Sequence, residues 1–502
     1  MKSVLVLGDV GAVGTVRHVG DEAMTAAAIR ELRARGDYHF AVVSALPEET
    51  AASYQVSAIP RPRILRGSIE SRLARCDAIE RAARGEDSAL TSSDPAWEFI
   101  RALQGADAVL VAGGGNLTSL WPSFMDERLT AARIARAAGK PVVISGQTIG
   151  PRLTGMDRDR VAELLNHAAV VGLREQASFD LASSLAANPE RLRRTADDAS
   201  FLPGSPTSQL SANLLPKGPF ILATFQDAAE AVGFTEAIPA IADLLDTIAQ
   251  QCEAEVVFLP HLGADGSLTG CDQDAHQAIA AHLQSQYRIL PVQSNEVSVA
   301  LVREAKASVS NRYHPAVFAC ANGRPAITLW HDCYTEVKFT GVLSNFAIGD
   351  LSVPLYALGP RSTSRWLADV VAAWDEDASQ VGAQRHTLIS QRRVENSGWW
   401  DEVHAHLTGA VPTPATWTPA LQLDLMPSAL RDHVARLRSL LKRADRSTEL
   451  ELELAQTNAE RALVAAQLAA LRKSKAVRLS SVAYQAAKKV TGPLSRSAKR
   501  PV

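Results

Sequence analysis

The chain has 502 residues, of which 46% are hydrophobic and 21% charged, with a formal net charge of -2. That length exceeds what one core organises and predicts two domains with appendages, while the near-neutral balance excludes a global pull toward nucleic acid or a membrane. Five scattered cysteines without metal-type spacing (Cys76, Cys252, Cys271, Cys320, Cys333) predict a reduced, cytoplasmic protein with no structural zinc.

Met1 to Gly8 is too short for a signal segment and reads as a first strand running into a glycine loop. Short β-branched runs follow at Phe40–Ser44, Ala108–Ala112, Val142–Ser145 and Val170–Gly172, with amphipathic stretches such as Glu22–Arg35 and Ala131–Ala138 between them. Arg61 to Thr91 interrupts the rhythm and reads as a helical excursion. The alternation predicts a parallel sheet covered by helices over residues 1–203. After a turn-rich run, Pro203 to Gln209, a second set occupies residues 218–360. Its strands are Phe220–Thr224, Glu255–Leu259, Ile289–Leu290, Ala307–Ser310 and Ala326–Trp330; its helices are Ile238–Gln250, Gln273–Gln284 and Ser298–Lys306. The fold class is therefore α/β, with two Rossmann-like domains facing a cleft.

Beyond Arg361 the strands stop. Helical Trp366–Trp374 and Gln384–Arg393 fall in a segment over 361–410, and a Pro/Thr linker spans 411–429. Residues 430–472 carry an imperfect leucine heptad, which predicts a coiled coil and a route to homo-oligomers. The basic tail, 473–502, has no acidic residue; it reads either as a peripheral membrane contact or as a solvated end. No apolar stretch nears the roughly 18 residues of a spanning helix.

Ligands of open α/β sheets sit past the carboxyl ends of strands, which selects the candidate site residues. Ser310-Asn311-Arg312-Tyr313-His314-Pro315 places a fixed cation two residues from a group that titrates near neutrality, and Tyr334 and Lys338 return to the same rim after the next strand. Gly113-Gly114-Gly115-Asn116 ends a strand in residues without Cβ, favouring close approach of backbone to a ligand over packing alone. Gln147 stands in a similar loop one strand later, where a tight turn explains much. Asp21 and Glu22 open a helix, either as cap and dipole partner or as groups for sugar hydroxyls or a general base. Arg174 is either a surface ion pair or a site cation, Asp197-Asp198 a rim pair or a helix cap, and His261 a packed or a catalytic imidazole. The loop Gly8 to Gly14 lacks the spacing of a dinucleotide fingerprint.

Taken in order, several of these segments resemble the polysaccharide pyruvyl transferase family. They are Gly20-Asp21-Glu22-Ala23, Gly113 to Asn116, Gly146-Gln147-Thr148-Ile149-Gly150-Pro151, Leu173 to Ser178, Asp197-Asp198-Ala199, Pro260-His261, Ser310 to His314 and Tyr334 to Lys338, over about residues 1–345. The resemblance implies a GT-B-like domain pair and transfer of pyruvate from phosphoenolpyruvate to a sugar or lipid-linked glycan as a cyclic ketal. It implies catalytic roles for Arg174, His314 and Lys338, and donor binding by Arg312. The loop before Gly20, with Arg17 and His18, is longer than the family's turn, so the acceptor is not carried over. The remaining assignments (Asp21, Glu22, Gly113, Gly114, Gly115, Asn116, Gln147, His261 and Tyr334) are to substrate binding. No metal or cofactor is expected, and no nucleic acid. Two other classes fit the architecture: a glycosyltransferase using a nucleotide sugar, with Glu336 gripping the ribose, and a non-catalytic glycan-binding module.

Overall fold

The computed structural model describes residues 1–11, 16–64, 67–211, 213–226, 234–264, 270–359, 361–374 and 380–444, with Arg446, Leu450, Leu454 and Arg461 beyond them. The first half forms an eight-stranded sheet. Its order is Ser57–Pro60, Tyr38–Ser44, Lys2–Leu7, Ala108–Val111, Val142–Ile149, Val170–Leu173 and Leu192–Arg194, with Gly114–Leu117 paired to Val142–Ile149. Every pairing is parallel. The central strands Ala108–Val111, Val142–Ile149 and Val170–Leu173 are buried throughout, which is why they read as continuous apolar runs rather than alternating ones.

The second half builds a six-stranded parallel sheet, ordered Tyr287–Ile289, Glu255–Phe258, Phe220–Thr224, Ser308–Ser310, Ala326–Trp330 and Ser352–Pro354. Six short strands escape sequence reading: Arg17–His18, Leu262–Gly263, the glycine-rich Gly114–Leu117, the partly buried edge strands Ser57–Pro60 and Leu192–Arg194, and Ser352–Pro354 of three residues. Arg61 to Thr91 contains the helix Ile69–Ala83, as its composition predicts.

The two halves are tied at several places, of which two involve whole elements. Arg17–His18 pairs antiparallel with Leu262–Gly263, and the Val19 N–H donates to the His261 carbonyl at 3.0 Å. A long helix, Gln380–Thr408, then returns to the first sheet and buries Trp399, Trp400, Val403 and Leu407 there. The Trp399 indole donates to Ser145 Oγ at 2.9 Å, and the ring lies so close to Gly172 that a Cβ there would meet Cζ2 at 2.6 Å.

The stretch after it lies along the protein rather than swinging free. Ala415 N–H donates to Glu402 at 2.7 Å, Thr418 N–H to Glu395 at 2.9 Å, and Leu423 N–H to the Ala347 carbonyl at 2.9 Å. Residues 428–444 are helical, but Val434 is buried in the second core and Leu430, Leu437 and Leu441 pack against it. Apolar positions expected in a coiled-coil seam thus serve an intramolecular face in this described portion. Most of the remaining heptad and the basic tail lie outside the described residues. Among those described, no helix is long and apolar enough to cross a membrane.

Candidate functional site

The carboxyl ends of both sheets open into one cavity of about 850 Å³. Each half delivers its groups there by the same device, a strand ending in a loop that starts a helix. The first half supplies Gly115 and Asn116 after Ala108–Val111, and Arg174 directly after Val170–Leu173. From the second come Tyr313 and His314, opening the helix Tyr313–Ala321 with Arg312 at its N-cap. Tyr334 and Lys338 lie one turn apart on the helix Cys333–Asn345. Gly115 is where the halves meet: a Cβ there would lie 2.8 Å from Tyr334 Oη, 3.3 Å from Arg174 Nη2 and 3.4 Å from Lys338 Nζ. Tyr334 Oη donates to the Gly115 carbonyl at 2.8 Å, and Lys338 Nζ donates to Tyr334 Oη at 3.3 Å. No carboxylate lies within ion-pair distance of Lys338 among the described residues.

Arg174 is buried, not a surface ion pair. Its Nη1 donates to Asp197 Oδ2 at 2.6 Å and its Nε to Thr148 Oγ1 at 2.9 Å, with the guanidinium 4.4 Å from the Tyr313 ring centroid. Asp197 and Asp198 are neither rim pair nor helix cap; both are buried. Asp198 accepts from Ser145 Oγ at 2.6 Å and the Gly113 N–H at 2.9 Å, and burial pushes its carboxyl up to about 7.

His314 stands beside this pair with Nε2 4.0 Å from Asp197 Oδ2 and without a hydrogen-bond partner for that nitrogen. Its Nδ1 faces Gly20, where a Cβ would come within 1.8 Å. Burial, then the charges of Arg174, His18 and Lys338, hold the imidazole well below its ordinary range. The resting side chain is therefore neutral, a correction to the expectation of titration near neutrality.

Arg312 is already partnered. Its Nε donates to Asp272 Oδ1 at 3.1 Å, while Asp272 Oδ2 accepts the N–H groups of His261 and Leu262, both at 2.9 Å. Burial pushes Asp272 up, but the Arg312 charge and hydrogen bond outweigh it and hold the carboxylate low. His261 lines the cavity, and burial drives its pKa down to about 3. Behind it His276 Nε2 accepts the Phe225 N–H at 2.8 Å.

Burial lowers His276 from 6.5 to about 4, so between those pH values the unfolded chain binds a proton that the folded one refuses. Its contribution to stability is thus complete above the upper value and disappears on acidification, at about 1.4 kcal/mol per pH unit. His276→Gln keeps an acceptor for Phe225 and should flatten the acid limb of denaturant-derived stability plotted against pH. An unchanged limb would refute the assignment.

Asp21 faces the cavity, with Oδ2 3.1 Å from His18 Nδ1; the N-cap of its helix is His18 rather than Asp21. Burial raises the Asp21 carboxyl although His18 opposes the rise. Four expected contacts do not line the cavity. Glu22 turns to Tyr54 Oη (3.3 Å) and Arg17 (3.5 Å), and Gln147 Nε2 donates to the Ala112 carbonyl at 2.6 Å. Gly113 and Gly114 lie behind Gly115, against Asp198 and Asp9.

Asp9 and Asp272 are acids of the site that sequence reasoning did not assign. Asp9 pairs with Arg128 at 2.9 Å and accepts from Asn116 Nδ2, so it orients the Asn116 amide beside the cavity. Its position directly past the first strand was the available signal. Among the described residues no group of His, Cys, Asp and Glu is arranged to hold a metal ion.

Comparisons with known proteins agree with this architecture. Two solved structures match in fold, each over 83% of this chain. A UDP-N-acetylglucosamine 2-epimerase matches at 12% identity and TM-score 0.52, with 99% of its own chain covered. The S. aureus MnaA-UDP co-structure matches at 11% identity and TM-score 0.50, with 100% covered. At such identity the likeness concerns the fold: paired parallel α/β sheets of the GT-B-like kind. No curated protein matches the chain. The family model described as Polysaccharide pyruvyl transferase matches residues 18–332, a span running from the His18 strap through Arg174, Arg312 and His314, and on that match the chain belongs to the polysaccharide pyruvyl transferase family.

Proposed function

We propose that the protein transfers pyruvate from phosphoenolpyruvate to two hydroxyls of a glycan, forming a ketal and releasing phosphate. The observation that carries this reading is the meeting of Arg174 and Lys338 at Gly115, with the neutral His314 and Arg312 lining the same cavity. A donor with one phosphate and one carboxylate matches that set of cations, bidentately at arginine and as a point charge at lysine. Glu336, the acid that a nucleotide-sugar donor would require, instead pairs with Arg438 and lines a different cavity.

The neutral state of His314 has a chemical use. Arg174 and Lys338 help to keep it unprotonated. Arrival of the donor's negative charge beside them reverses that effect, so the imidazole gains its proton together with the substrate. His314 then protonates the methylene carbon of the enol ester, leaving an oxocarbenium-like centre at the adjacent carbon. A sugar hydroxyl attacks and cedes its proton to His314 or Asp21. The C–O bond to phosphate breaks, and a second hydroxyl closes the ketal. Of the two hydroxyl protons, one replaces that spent on the new methyl group and the other leaves on phosphate. Asp21, raised by burial, suits a group that holds a hydroxyl by hydrogen bond before accepting its proton.

Purified protein incubated with phosphoenolpyruvate and candidate glycans should release phosphate and give a ketal methyl resonance. Absence of both across glycans, with nucleotide-sugar turnover in their place, would reject the reading. Lys338→Ala should raise the KM for phosphoenolpyruvate roughly tenfold or more, the worth of a charge-assisted hydrogen bond. An unchanged KM would remove Lys338 from donor binding. Gly20→Ala drives a methyl group into His314 and should cost about 10²-fold in kcat through displacement of the imidazole. Wild-type kcat in that variant would show the ring position to be immaterial.

A further inference from the structure

A second cavity of about 520 Å³ lies on the far side of the helix Cys333–Asn345 from the first. Much of its wall comes from residues beyond the family match: Arg392, Trp417, Pro419, Ala420, Gln422 and Lys442. Its electrostatics are unusual. Arg194 and Arg392 both stack on the Trp417 ring, at 5.1 and 3.9 Å from its centroid. Two guanidiniums held against one ring repel each other, and burial together with that repulsion brings Arg194 down to about 10 despite the opposing charge of Glu175.

The local acids do not settle this charge. Arg392 is fully buried, and Glu395 and the Asn345 carbonyl take its Nη1 and Nε, but its Nη2 has no hydrogen-bond partner. Arg194 gives its terminal nitrogens to the Leu173 carbonyl (2.7 Å) and Asn345 Oδ1 (2.8 Å), while its Nε has none. Among the described residues no carboxylate lies within ion-pair distance of Arg194 or Lys442. Of the acids on the wall, Glu336 is committed to Arg438, and burial raises the Glu175 carboxyl toward its neutral form. Arg392 has Glu395 as its counter-ion, but burying Arg194 without one is costly, and it becomes a stronger donor once an anion arrives. The rest of the wall is mixed: Trp417, Pro419, Ala420 and Val337 are apolar, while Gln176, Thr340, Ser344 and Gln422 are polar and uncharged.

We propose that this second cavity is a binding site for a small organic anion, a phosphate monoester or carboxylate with an apolar body. The anionic group lies against the guanidiniums of Arg194 and Arg392 near Lys442, and the body lies along Trp417 and Val337.

The site shares a wall with the first cavity. Tyr334 and Lys338 face one side of the helix Cys333–Asn345; Val337, Thr340, Gly341 and Ser344 face the other. The contact behind it has no slack, since a Cβ on Gly341 would lie 2.4 Å from Glu175 Cβ. An occupant bracing this helix therefore restrains the element that carries Lys338.

Phenyl phosphate is a suitable probe, titrated calorimetrically into the full chain carrying Lys338→Ala to weaken anion binding in the first cavity. One saturable event is expected, weakened about tenfold or more by Trp417→Ala and by Lys442→Glu. Lys442 is exposed, so the second variant keeps the fold. Hydrogen exchange across residues 333–345 should slow on binding. No saturable binding in the millimolar range overturns the proposal. Binding that ignores both substitutions also overturns it, as does equal binding of the uncharged benzyl alcohol.

Discussion

Protein carrying His314→Gln is expected to fold as the wild type does and to lose roughly two to four orders of magnitude in kcat for phosphate release from phosphoenolpyruvate, the usual worth of a positioned proton-transfer group. Two structural facts make the outcome specific. The Nε2 atom has no hydrogen-bond partner, so glutamine forfeits no native bond there, and Nδ1 sits against Gly20. What the variant lacks is a nitrogen that can gain and return a proton. The pH profile offers a second reading. Because the free imidazole is held well below its ordinary range, kcat/KM should show no imidazole limb near neutrality, whereas kcat, which reports the donor complex, should show one. A variant with full kcat would remove His314 from the chemistry, whatever Arg174 and Lys338 do.

Arg174→Met should be the most damaging single change, because it acts on stability and activity together. The guanidinium and the Asp197 carboxylate are both buried, 2.6 Å apart. Methionine leaves that carboxylate without its counter-charge, which in buried pairs costs about 3–5 kcal/mol. The double variant Arg174→Met/Asp197→Asn removes the stranded charge as well, and should recover most of the lost stability in chemical denaturation. It should recover no activity, since the cation beside Gly115 is still missing. Recovery of both properties would make Arg174 a purely structural residue. Recovery of neither would mean that Glu175, Thr148 and Tyr313, its other contacts, dominate.

The strand ends were readable because buried parallel strands are apolar throughout and their loops are not. Arg312, His314, Tyr334 and Lys338 reach one cavity for that reason alone. Their partners were hidden by distance along the chain. Asp272 lies 40 residues before Arg312, and Asp197 23 residues after Arg174; neither spacing is a helical or strand repeat. Within the glycine-rich loop only Gly115 and Asn116 reach the cavity, since Gly113 and Gly114 serve the packing of Asp198 and Asp9 behind them. The ordinary pKa of histidine misled for a similar reason: solvation and neighbouring cations decide it, and both are tertiary. Leu437 and Leu441 carried a helical period faithfully, but periodicity does not say which surface an apolar stripe meets.

The returning helix with Trp399 and Trp400 makes the amino-terminal sheet dependent on residues synthesised some two hundred positions later. On the ribosome that sheet emerges with an uncovered apolar trough and Ser145 lacking its indole partner. It reaches its final packing only after the second sheet and the whole of the long helix have left the exit tunnel. Cutting the gene between the two sheets therefore yields no autonomous amino-terminal module.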